Sequence, residues 1–80
     1  MTREQKIQFL NENGYKADEG YNGGVSCYHL NRNQKAIVAD WSGTLKIQTV
    51  SSNWTLEEAK QYAAELQEAI AILEQIEEVN

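Results

Sequence analysis

Proline is absent from this 80-residue chain, and cysteine, histidine, methionine and phenylalanine occur once each. A lone cysteine, Cys27, rules out an internal disulfide framework and suits a reducing compartment. One Cys and one His do not supply the four ligands of a structural zinc site, so no metal and no cofactor is expected. No apolar run reaches the ~18 residues of a membrane-spanning helix, and the opening MTREQKIQFL lacks the apolar middle of a signal peptide. The expected location is cytoplasmic. Basic residues are nearly missing from Thr55 to Asn80, where seven glutamates (Glu57, Glu58, Glu65, Glu68, Glu74, Glu77, Glu78) face one lysine, Lys60, for a net −6. The preceding residues sit at +1, within a total of −5. An acidic helix on a nearly neutral body argues against a nucleic-acid surface and for a protein partner with a basic one.

What is present is enough for one small α+β domain, residues 1–80, of a size at which a single core is just sufficient for stability. A multi-step enzyme with a buried pocket is not expected at this length. Residues 2–13 read as a helix opened by a capping box, Thr2 with Gln5, carrying Ile7 and Leu10 and ending at Gly14. Residues 14–24 contain Gly14, Gly20, Gly23 and Gly24 and read as a mobile glycine loop with Tyr21 at its tip. Three β-like runs follow at 25–31, 35–40 and 44–50. Together they predict a three-stranded antiparallel meander, in the order α-β-β-β-α, covered on one face by the C-terminal helix.

Side-chain alternation then assigns the faces. Ser26, Tyr28, Leu30, Ile37 and Ala39 share one face, and a three-residue loop after Asp40 sets Ile37 and Ala39 beside Leu45 and Ile47. A two-residue Ser42–Gly43 loop would set them beside Lys46 and Gln48, so the longer loop is preferred. The opposite face, with Val25, Cys27, His29, Ala36, Val38, Asp40, Lys46, Gln48 and Val50, is expected to be open.

The last helix, 55–79, starts with a second capping box, Thr55 with Glu58, behind Trp54 as a hydrophobic staple. Leu56, Ala59, Ala63, Leu66, Ile70 and Leu73 form the stripe expected to cover the sheet, so Leu66→Ala and Ile70→Ala are expected to behave as core truncations. Tyr62, Ala69, Ile72, Ile76 and Val79 widen the apolar arc. Such a helix must meet a second surface. The N-terminal helix in a monomer is favoured over a homodimer through Ile72, Ile76 and Val79.

Catalytic signals are thin. Cys27 and His29 share a strand face with Asp40 in reach, a pattern that admits a thiolate and its base, yet no orienting group is evident. GYNGG precedes a strand and lacks Gly-Lys-Ser/Thr, so it is not a phosphate loop. Non-enzymatic binding is the expectation. Glu57, Glu65 and Glu68 are read as an exposed acidic field, with Tyr21 and Trp41 as accessible aromatic anchors.

The helix, three strands, helix order resembles the double-stranded-RNA-binding domain, which reads RNA through basic residues at the start of its last helix. Here that start is Thr55-Leu56-Glu57-Glu58-Ala59-Lys60, of the wrong sign for phosphate. In size, acidity and mixed organisation the chain resembles small phage-encoded inhibitors of bacterial defence, the anti-CRISPR proteins. That resemblance implies an inhibitor that presents acidic and aromatic residues to a basic surface of a host CRISPR or other nucleic-acid-handling protein. The alternative is a small homo-oligomeric structural or regulatory protein.

Overall fold

The structure, a computed structural model, describes residues 1–78, the last of them by its backbone alone. Thr2 caps the first helix, α1 (Arg3–Glu12), with both bonds of the capping box made to Gln5. Gly14, at φ +89°, takes the left-handed conformation that turns the chain out of the helix. The next residues are a strand, β1 (Tyr15–Glu19), in place of the expected loop. Tyr15 and Ala17 are buried while Lys16 and Asp18 are exposed, the period-two pattern of a half-buried strand. A 3₁₀ turn at Tyr21–Gly23 leads to β2 (Val25–His29), then come β3 (Ala36–Trp41), β4 (Thr44–Thr49) and the long helix α2 (Leu56–Glu78).

The fold is α+β, with its strands in two antiparallel pairs, β1 with β2 and β3 with β4. The expected three-stranded meander is therefore replaced by two hairpins, because side chains take the backbone groups of Cys27 and Val38 that a β2–β3 ladder would use. The turn after β3 is the two-residue one. Ser42 at φ +53° and Gly43 at φ +84° make a type I′ turn, whose twist matches that of the flanking strands. Ala39 faces Lys46 and Ile37 faces Gln48, and this side is the open one, so no lysine is buried. Ala36 and Val38 face inward with Val25 and Cys27, the reverse of their expected side, while Leu45 and Ile47 face inward as expected. Tyr28 and Leu30 are exposed.

Side chains join the hairpins. The Tyr15 hydroxyl accepts from Val38 N–H at 2.8 Å, and the Cys27 thiol donates to Val38 C=O at 3.5 Å. Asp40 Oδ1 accepts from Cys27 N–H at 3.3 Å. The outer edge of β1 is closed in the same fashion, by the Asn11 amide bonded to both Ala17 N–H (2.9 Å) and Ala17 C=O (3.3 Å). Each plug satisfies backbone groups that would otherwise be buried without a partner or left open as a sheet edge.

Helix α2 packs on β3 and β4, but it is turned from the expected face. Ala69, Ile72 and Ile76 are 1%, 4% and 2% exposed, whereas Leu56 is 74% exposed and Ala63 is exposed too. Leu66 and Ile70 are half-buried and lie outside the central cluster, so they are not the core truncations they were expected to be. Ala69 lies on the inward line with Ile72 and Ile76, which sets the face that α2 presents to the strands. Ile72 and Ile76 are buried inside the chain, so the expected contact with a second copy through them is not on offer; Val79 lies outside the described residues. Trp54 stacks on Tyr62 at 4.4 Å between ring centroids, one turn beyond the expected staple.

Candidate functional site

Two glycines place the two candidate aromatic anchors at one end of the molecule. In the 3₁₀ turn, Gly20 N–H donates to Gly24 C=O at 2.9 Å and Gly24 N–H to Tyr21 C=O at 3.0 Å, closing a tight tip. The tip lies against the I′ turn of the other hairpin. A Cβ on Gly24 would fall 2.5 Å from Gly43 O, and one on Gly43 would fall 2.9 Å from Tyr21 O. The backbones touch where no side chain intervenes. Tyr21 and Trp41, on the abutting tips, are 72% and 71% exposed. Large aromatics are usually covered in a free monomer, and they are the side chains whose burial contributes most at protein interfaces in general.

Clefts flank the tips. One, of about 350 Å³, lies beside Trp41 and is lined by Ala39, Asp40, Lys46, Ile47 and Gln48. Another, also of about 350 Å³, runs behind the tips between Arg3 and Lys6 of α1, Thr44 and Leu45 of β4, and Leu73, Ile76 and Glu77 of α2. Arg3 is engaged with Glu19 at 3.2 Å.

The expected acidic field is only partly assembled. Glu57 and Glu68 are exposed on one flank of α2. Glu65 is 8% exposed and accepts from Lys35 N–H at 3.0 Å, so it anchors the start of β3 and is unavailable as a surface charge. Glu58 caps the helix, and the bond it accepts from the Thr55 backbone, then that with the Thr55 side chain, hold its carboxyl below the usual range. The tips sit near the C-terminal end of α2, so Glu57 is roughly 30 Å along the helix from them, at ~1.5 Å per residue. The glutamate that reaches the tip region is Glu77, which sequence reading did not single out. Its place three residues after Glu74 and one after the buried Ile76 was the available signal.

Of Cys27, His29 and Asp40, the structure joins Asp40 to Cys27 and engages His29 elsewhere. His29 meets Tyr15 edge-on at 4.8 Å and its Nδ1 accepts from Asn31 N–H, while Asp40 serves the Cys27 backbone. Burial, with the Asp40 charge second, pushes the Cys27 thiol from its ordinary 9.0 up to about 11. The unfolded thiol ionises first, so stability is intact below pH 9 and is lost as pH rises toward 11. Tyr15, raised chiefly by burial from 10.0, adds to the loss in the same direction. Urea midpoints should therefore fall across this alkaline window, and Cys27→Ala should flatten the fall; an equal slope in the variant would free Cys27 of any part in it.

Among the described residues no group of three His, Cys, Asp or Glu side chains could hold a metal ion, and no helix is long and apolar enough to cross a membrane. Comparison with protein families, with curated proteins and with solved structures returns no match.

Proposed function

We propose that the protein is a non-catalytic binding module, an inhibitor of a host nucleic-acid-handling protein, which docks the Tyr21 and Trp41 tips on a basic surface of its target. The observation that carries this reading is the backbone contact between Gly24 and Gly43, which holds two largely exposed aromatics on adjacent turns. Rigid tips order few side chains on binding, and so keep more of the energy of aromatic burial. Glu57 and Glu68, exposed on α2, supply the long-range field that speeds encounter with a basic target.

The test starts with affinity isolation of the target from host lysate and then measures kinetics on the purified pair. Tyr21→Ala and Trp41→Ala should each raise the dissociation rate by about tenfold or more, the scale of a residue contributing at least ~1.4 kcal/mol. Glu57→Lys with Glu68→Lys should slow association and flatten its dependence on salt. Unchanged dissociation in both aromatic variants, with folding intact by circular dichroism, overturns the tips as the site.

A further inference from the structure

One strand edge has been left without a plug. The backbone groups of Val38 point to Tyr15 and Cys27, so Val38 and its partner Ile47 form a non-hydrogen-bonded pair. The N–H and C=O of Ile47 therefore point away from β3, and by alternation so do those of Leu45 and Thr49. Val50 N–H donating to Lys35 C=O agrees with this phase. Asn11 closes β1, Asp40 the edge of β2, and Tyr15 with Cys27 that of β3. Among the described residues nothing meets the outward groups of β4.

The helix above this edge is shaped for an added strand. On one flank of α2, Glu68 is exposed. On the opposite flank Leu73 shares a cleft with Thr44 and Leu45 of β4. At helical spacing Leu66 and Ile70 belong to the Leu73 flank, half-buried and outside the central cluster.

We propose that β4 pairs antiparallel with β4 of a second copy of this chain, giving a continuous four-stranded sheet β3-β4-β4-β3 with both α2 helices on one face. Charge selects the register. Centring the two-fold axis at Lys46 would set it against the partner's Lys46, which is destabilising. Centring it at Ile47 sets Ile47 against the partner's Ile47 and Lys46 against the partner's Gln48, and pairs the strand along its whole length. The geometry of the helices agrees. A helix lying across both β3 and β4 is two strand spacings from its mate, roughly 9–10 Å, which is the normal distance between packed helices. The Leu66 and Ile70 flanks then cover each other.

Sedimentation velocity over a concentration series tests this on the intact chain. Wild type should show a monomer–dimer equilibrium. Gln48, exposed on the open face, is the diagnostic position. Gln48→Glu places a carboxylate against the partner's Lys46 on each side of the axis and should tighten the dimer by about 2- to 30-fold, whereas Gln48→Lys should weaken it comparably. Thr49→Pro removes an outward N–H without touching the β3–β4 ladder and should also weaken it. A monomer at every concentration, which would leave the edge to a strand of another protein, overturns the proposal. So does a dimer indifferent to both Gln48 substitutions.

Discussion

Truncating Ile76 to alanine should cost about 2–5 kcal/mol and lower the melting temperature by roughly 10 °C or more, since the side chain is 2% exposed and sits in the central cluster. Leu56→Ala, on the same helix, should change stability by less than about 0.5 kcal/mol because that side chain is 74% exposed. The pair reads the rotation of α2 directly. Chemical denaturation followed by circular dichroism measures both, and equal losses at the two positions would mean that the helix presents a different face. A domain of this length has little stability in reserve, so Ile76→Ala could leave much of the population unfolded at 37 °C.

Placing a methyl group on Gly24 should push the two tips apart. Its Cβ would lie 2.5 Å from Gly43 O, a backbone atom that cannot swing aside as a side-chain end can. Forced separation of the two turns is expected to cost about 1–3 kcal/mol. Gly43→Ala should cost more, because it adds a side chain at φ +84° to a clash with Tyr21 O. Amide chemical shifts at Ser42 to Thr44 should move in Gly24→Ala even though the substitution is in the other hairpin. If stability and those shifts both stay at wild-type values, the tips do not touch, and the case for Tyr21 and Trp41 acting together goes with them.

Local signals in the sequence carried well where the physics is local. Both capping boxes and the glycine stop at Gly14 are decided within a few residues, and the structure has all three. Strand pairing is not local. Tyr15 to Glu19 includes Asp18 and Glu19, poor strand formers, and is held extended by the partner ladder of β2 and by Asn11. The inward faces of β2 and β3 reversed while Leu45 and Ile47 of β4 stayed inward: the two-residue turn shifts the β3–β4 register by one position, which exchanges the faces of one strand relative to the other. On α2 the richest leucine stripe was not the most buried one: Ala69 lies on the inward line with Ile72 and Ile76, and the Glu65 carboxylate receives Lys35 N–H. Tyr21 and Trp41 were legible as exposed aromatics. That they share one end was not, since it depends on a contact between glycines that have no side chains to advertise it.

The seam between the hairpins has a further consequence. A backbone ladder frays from its ends one residue at a time, but a phenol, a thiol and a carboxylate holding Val38 and Cys27 let go when a ring swings out. These contacts sit over one shared core, in which Leu10, Tyr15, Val25 and Cys27 pack with Val38, Ala69, Ile72 and Ile76, so the hairpins cannot part without opening it. Leu10, the one residue that α1 buries fully, belongs to that same core, so loosening the seam is felt by both helices at once.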